Sequence, residues 1–334
     1  MLAFGLKDGL LRWRYRVPFD FEIEHALASG DLLILSGQAE TVALYMPTKD
    51  PRGELAWQEK EVGDRYIPAY LHGDRLVSVR KLPFNVTVRY RATGKLMGRL
   101  ALPDLSLETE HPLVEDGPRA LPAAHDGKLL AVTDGWYYVM VDAERMKVLW
   151  KRLIDNNDAS REPPMRFALK GDYLAVLKQD YDIKTIYMLS SRTGEILWQT
   201  DPKNAKSPQP LYSMLIDGDK LYGLGTHPGQ AFYFECRDCK TGKPLFERYE
   251  QKGYEGIPLA QILQPLRGEH AVVAVRDRRE FYLLPFDTKT GKPAGEVHLK
   301  ATGDFGRHGR ASATVQDGRL ALFGLKTLKI GGVK

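Results

Sequence analysis

Cys236 and Cys239 stand two residues apart in the run CRDC, a spacing that thiols use for zinc ligation, dithiol exchange or a local disulfide. Structural zinc takes four ligands, and the chain holds only these two cysteines. A thioredoxin-type pair needs a helix N-terminus to lower one thiol pKa, whereas this pair flanks a Thr-Gly turn. The expectation is coincidence, or a local disulfide if the protein is exported. A second candidate is built from oxygen. Asp155-Asn156-Asn157-Asp158 and Asp180-Tyr181-Asp182 bring four carboxylates, those of Asp155, Asp158, Asp180 and Asp182, into loops close in sequence. Ca²⁺ favours several such oxygens, although solvated polar loops are the plainer expectation. A third group is basic: Arg276, Arg278 and Arg279, then Arg307, His308 and Arg310. These suit an acidic partner or an anionic sugar, with an ordinary charged rim as the plainer alternative. The eight histidines show no HExxH spacing, and neither a GxSxG elbow nor a phosphate-cradling glycine loop is present.

What must position these groups is a repeat. KDGLLRW (7–13), PRGELAW (51–57), ATGKLMG (92–98), ERMKVLW (144–150), RTGEILW (192–198), KTGKPLF (240–246) and KTGKPAG (289–295) share one frame. The glycine of that frame falls at Gly9, Gly53, Gly94, Gly194, Gly242 and Gly291, with Met146 in its place once. A second series interleaves with it, at Gly30, Gly73, Gly127, Gly171, Gly218, Gly268 and Gly318. These glycines sit in Gly-Asp, Asp-Gly or related pairs that supply the positive φ of tight hairpins. Behind them run apolar segments such as 32–35 and 174–177, whose unbroken hydrophobicity suits strands covered on both faces. A third strand such as 185–189 follows, then the Thr-Gly turn, then a fourth strand ending near a tryptophan. Four short strands per 40–50 residues is the pattern of a β-propeller blade, which cannot bury its faces alone.

The ends complete the count. Residues 2–17 form a lone half-unit, and the chain stops after a half-unit opened by Gly318. The expected fold is therefore all-β: a single domain over residues 1–334, a seven-bladed propeller of four-stranded antiparallel blades. Its closing blade is shared by the N- and C-termini, which removes open sheet edges.

Bulk properties narrow the function classes. The 48 basic and 43 acidic residues leave a net charge of +5 with no long basic block, which gives no support to nucleic-acid binding. No uninterrupted apolar window is long enough for a membrane span. The start, MLAFGLKDGLLRWRYRV, lacks the basic head, apolar run and small-residue site of a signal peptide.

The pattern D-x-x-T-G-x-x-x-W resembles the repeat of the PQQ-like, quinoprotein-dehydrogenase-like β-propellers, a family that includes BamB-like outer-membrane assembly factors. Asp238-Cys-Lys-Thr241-Gly242 and Asp287-Thr-Lys-Thr290-Gly291 carry its polar half, and Arg192-Thr193-Gly194-Glu195 with Trp198 its aromatic half. The resemblance implies that Trp13, Trp57, Trp150, Trp198 and Phe246 dock one blade on the next. Gly98 and Gly295 depart from the docking position, and Met146 departs from the turn glycine. Many members have eight blades, so an eight-bladed or longer parent is the alternative. The dehydrogenases of the family carry large insertions, a calcium-binding carboxylate set and a pair of adjacent cysteines. Blades this short leave little room for such insertions, and these cysteines are not adjacent. The resemblance thus implies a non-catalytic monomeric scaffold without a cofactor. Its protein or other macromolecular partner would be bound through the inter-blade loop face, including the 111–121 loop. A PQQ- and Ca²⁺-dependent dehydrogenase, or a fragment of one, is the alternative. The same resemblance places the protein in the periplasm or cell envelope.

Overall fold

A computed structural model describes residues 2–4, 11–14, 25–29, 32–36, 40–45, 54–60, 66–80, 85–102, 123–133, 137–154, 166–180, 183–200, 211–227, 230–250, 261–266, 270–277, 280–294, 297–302, 312–316, 319–323 and 327–330. Every regular element among them is a strand.

The chain opens with a two-stranded sheet, β1 (Leu2–Phe4) and β2 (Leu11–Arg14). Six antiparallel sheets follow, each in chain order from the inside outward. Blade one is β3 (His25–Ser29), β4 (Leu32–Ser36), β5 (Glu40–Tyr45) and β6 (Glu54–Lys60). Blade two is β7 (Tyr66–His72), β8 (Arg75–Arg80), β9 (Asn85–Tyr90) and β10 (Leu96–Ala101). Blade three is β11 (Ala123–His125), β12 (Leu129–Thr133), β13 (Tyr137–Asp142) and β14 (Lys147–Leu153). Blade four is β15 (Arg166–Lys170), β16 (Tyr173–Asp180), β17 (Ile183–Ser190) and β18 (Ile196–Gln199). Blade five is β19 (Leu211–Asp217), β20 (Lys220–His227), β21 (Gln230–Asp238) and β22 (Pro244–Glu250). Blade six is β23 (Gln261–Leu266), β24 (His270–Asp277), β25 (Glu280–Asp287) and β26 (Val297–Thr302). A further pair, β27 (Ser312–Gln316) and β28 (Arg319–Phe323), precedes β29 (Thr327–Ile330).

The first strands of successive blades lie beside one another, β3 on β7 and so on through β23 on β27, which makes them the inner wall. The second strands form the core because both of their faces are apolar. In β16, Leu174 and Val176 enter the layer between blades three and four, while Ala175 and Leu177 enter the layer between four and five. All four are buried. Each such aliphatic residue contributes about 1.5–3 kcal/mol when fully buried, so a blade is stable only with neighbours on both sides. The layers between blades one and two, two and three, and five and six follow the same plan.

Seven blades fit this architecture. The strands expected to make the closing blade, β1–β2 and β27–β28, stand as separate two-stranded sheets and are not joined into one four-stranded sheet. The sequence did not suggest β29. It pairs antiparallel with β26 and becomes a fifth strand on blade six.

Candidate functional site

The repeated Thr-Gly motif is a joint. Asp238 starts its turn by accepting, through Oδ1, the N–H of Lys240 at 3.0 Å, the N–H of Thr241 at 2.7 Å and the Thr241 hydroxyl at 2.8 Å. These donors hold the Asp238 carboxyl below its ordinary pKa. Asp287 repeats the arrangement with Lys289 and Thr290. The turn then needs a left-handed residue, and Gly194 and Gly242 supply it at φ 74° and 71°.

The absent side chain has a second use. A Cβ at Gly194 would lie 2.8 Å from Trp150 Cδ2, and one at Gly242 would lie 2.7 Å from Trp198 Cδ2. Gly94 meets Trp57 in the same way. Each indole therefore lies flat on the turn of the following blade. Its Nε1 donates to the carbonyl three residues before the glycine: Trp57 to Arg91 O at 2.7 Å, Trp150 to Ser191 O at 2.8 Å, and Trp198 to Cys239 O at 2.6 Å. Trp57, Trp150, Trp198 and Phe246 each lie against the turn glycine of the following blade, whereas the Trp13 side chain lies outside the described residues.

Among the described joints two depart from this pattern, and both are compensated. Phe246 covers Gly291 but has no N–H to give. The carbonyl left over, Thr288 O, is reached instead by the Tyr222 hydroxyl and the Lys220 ammonium, each at 3.4 Å. Between blades two and three the roles are exchanged. Gly98 occupies the tryptophan position, and Met146 occupies the glycine position at φ 51°. Met146 Cε and Cγ lie 3.6 and 3.7 Å from where a Gly98 Cβ would be, so the methionine fills the indole's place from the opposite side.

Of the two cysteine expectations, coincidence fits the structure and the local disulfide does not. Both thiols are free and buried. Cys236 packs with Tyr222, Phe234 and Phe286 in the layer toward blade six. Cys239 packs with Ile186, Met188 and Ile216 in the layer toward blade four. A pair divided between opposite faces of one blade makes neither a disulfide nor a chelate. Burial pushes the Cys236 thiol up to about 11 and the Cys239 thiol up to about 12, so neither is a ready nucleophile near neutral pH.

Of the loop candidates, the structure describes two positions. Asp180 ends β16 and Arg276 lies next to the end of β24, so both stand at the end of the blades opposite the glycine turns. Asp155, Asn156, Asn157, Asp158, Asp182, Arg278, Arg279, Arg307, His308, Arg310 and the 111–121 loop lie outside the described residues. Among the described residues no three His, Cys, Asp or Glu side chains gather as a metal site. Among them too, no helix is long and apolar enough to cross a membrane.

Two other clusters had gone unread. Glu235 is buried on β21, where it accepts the Tyr233 hydroxyl at 2.5 Å and pairs with Arg237 Nη2 at 3.1 Å. Burial, with the Glu235 carboxylate alongside, pushes the Tyr233 hydroxyl far above its ordinary range. This network is an internal brace in which buried charge meets opposite charge, although the buried Arg237 Nε has no hydrogen-bond partner among the described residues. The outer rim carries exposed Met97, Leu149, Leu197 and Leu245, one per blade on blades two to five. Each is the residue that its outer strand skips in pairing with the third strand. The only signal for them in the sequence was their shared place one residue before the docking position.

No protein-family model matches the chain, and a search of curated proteins finds no match either. Among solved structures it is similar to the crystal structure of BamB from Moraxella catarrhalis, with a TM-score of 0.57 and 14% identity. The likeness covers 96% of this chain and 87% of that one. With blades, joints and turn chemistry of this kind, the chain has the β-propeller fold of BamB.

Proposed function

We propose that this propeller is a non-catalytic scaffold of the cell envelope that binds a protein partner through the face opposite its glycine turns. One observation carries the reading: the two faces are built for different purposes. On the turn face, the described chain is taken up by the ring's own bonds, with Asp caps, Trp-to-carbonyl bonds and glycines pressed under aromatic rings. At the opposite face the outer strand of one blade ends and the inner strand of the next begins, with residues 103–122, 155–165, 201–210 and 251–260 between them in the sequence. Connections between elements are where binding residues concentrate. The BamB fold supports the reading by resemblance, as does the envelope location it implies.

The test sets the two faces against each other. Cross-linking in envelope extracts compares Arg276→Glu/Arg278→Glu/Arg279→Glu with Lys243→Glu/Lys289→Glu/Lys292→Glu. Loss of a specific cross-linked product in the first variant alone is expected; loss in the second alone would overturn the assignment of the face. The dehydrogenase alternative is tested by adding PQQ with Ca²⁺ and following the melting temperature. A ligand bound only by the folded state raises it by several degrees at about a hundredfold excess over Kd. No shift is expected, and a clear rise would replace the scaffold reading with the enzyme.

A further inference from the structure

Of the nine large hydrophobic side chains exposed among the described residues, seven stand two or three residues after a turn glycine or after Met146. Leu96 and Met97 follow Gly94, Leu149 follows Met146, Ile196 and Leu197 follow Gly194, and Leu245 follows Gly242. These six are between 37% and 51% exposed. Leu55, after Gly53, repeats the arrangement in blade one. Scattered apolar residues are ordinary on a surface. Here they recur at one corner of each blade from one to five, where the outer strand leaves the turn face, and apolar surface gathered in this way marks an interaction site.

Positive charge is gathered at the same corner. Lys95, Lys147, Lys243 and Lys292 each stand directly after the turn residue, and all are exposed. Their ammonium groups enter no ion pair among the described residues. Much of the acid on this face is engaged locally. Asp172 pairs with Arg192 at 2.6 Å, Asp219 pairs with Lys240 at 3.1 Å, and Asp126 accepts the N–H groups of Lys128 and Leu129. Blade four has Glu195 in the lysine's place, and blade six keeps Lys292 but has Ala294 where its neighbours carry a large side chain. Blades two, three and five carry both halves of the motif.

We propose that the turn face rests on an anionic lipid bilayer, with its lysines against the headgroups and its aliphatic side chains between them. A motif repeated blade by blade needs a partner that offers the same chemistry at every point, and a bilayer offers negative charge over hydrocarbon throughout. A nucleic acid would satisfy the lysines but gives the leucines nothing to enter, and strand-binding proteins place stacking aromatics where these aliphatics stand. The depth agrees. Three residues of extended chain span roughly 10 Å, which brings Met97 and Leu245 within reach of an interface that takes side chains to about that depth. Charge and apolar burial then act together, as stable attachment to a membrane surface requires. The contact needs an intact bilayer, and an extract of the envelope holds none, so it does not rest on the loop-face reading.

Flotation of the full chain tests it, on vesicles of pure phosphatidylcholine and on vesicles holding phosphatidylcholine and phosphatidylglycerol at about two to one. Binding to the anionic vesicles is expected to exceed binding to the neutral ones roughly tenfold. Lys95→Glu/Lys147→Glu/Lys243→Glu and Leu149→Ser/Leu197→Ser/Leu245→Ser should each lose roughly tenfold on the anionic vesicles. Leu153 is also exposed but stands at the far end of β14, so Leu153→Ser should bind as the unaltered chain does. Soluble glycerophosphate at the concentration of the anionic lipid should not compete, which separates a bilayer from a free headgroup. No binding, equal binding to the two vesicles, full binding by either triple variant, loss in Leu153→Ser, or competition by glycerophosphate would overturn the proposal. Should a triple variant fail to fold, Leu245→Cys carrying an environment-sensitive fluorophore provides the second arm, since both native thiols are buried. Its emission should rise about twofold on the anionic vesicles, and unchanged emission would overturn the proposal equally.

Discussion

Blades three and four meet with Trp150 laid over Gly194, whereas blades two and three meet with the large residue on the other side, Met146 reaching over Gly98. Both joints bring one bulky residue against one glycine. The first fixes a planar ring with a hydrogen bond to Ser191 O. The second relies on a flexible thioether that fills irregular space, and it holds a non-glycine residue at φ 51°. A left-handed backbone of that kind costs about 1–2 kcal/mol for an L-residue. The difference shows that the joint constrains the volume shared across it more tightly than the residue at either position. Met146 departs from the turn rule, and Gly98 from the docking rule, because each compensates for the other.

Substitutions at the two joints can break that account. The largest effect is expected for Gly194→Ala, where the new Cβ would lie 2.8 Å from Trp150 Cδ2 and the backbone sits at φ 74°. Backbone strain and overpacking together should remove about 3 kcal/mol or more, read from urea denaturation midpoints. An intermediate effect is expected for Met146→Gly. It relieves the left-handed strain but empties the space beside Gly98, for a net loss of about 1–2 kcal/mol. Gly98→Trp/Met146→Gly should recover part of that loss by rebuilding the arrangement of blades three and four. No recovery would mean that the two positions are not coupled. The smallest effect is expected for Gly98→Ala, whose Cβ would rest 3.6 Å from Met146 Cε in ordinary contact. A change within about 0.5 kcal/mol is expected. If it matches Gly194→Ala, the exchange of roles is wrong.

The blades were legible because their punctuation is local. Turn glycines, the Asp that stands four residues before Gly242 and Gly291, and the aromatic four residues after most of the glycines are all visible in one short window. What a window cannot show is which distant group completes a bond. Phe246 reads as a fair substitute for tryptophan, but nothing near Thr288 in sequence announces that Tyr222, 66 residues earlier, will serve its carbonyl. The cysteine pair shows the same limit. A separation of three suggests proximity, yet Cys236 lies within β21 and Cys239 begins the turn after it, and the two side chains enter different layers. β29 was hidden because its pairing with β26 is a matter of register between two strands that no short turn joins. The partner face was legible only as loop sequence, since its recognition chemistry has no periodicity to read.

The indole bonds all run the same way, from blade one to two, three to four and four to five. A single blade is therefore directional, with a donating side and a receiving side that cannot pair with themselves. Such head-to-tail contacts either close into a ring or continue without end. A blade cut from this protein would have no symmetric dimer available through its joints and would be expected to grow into filaments, so closure of the ring is what keeps the repeat finite.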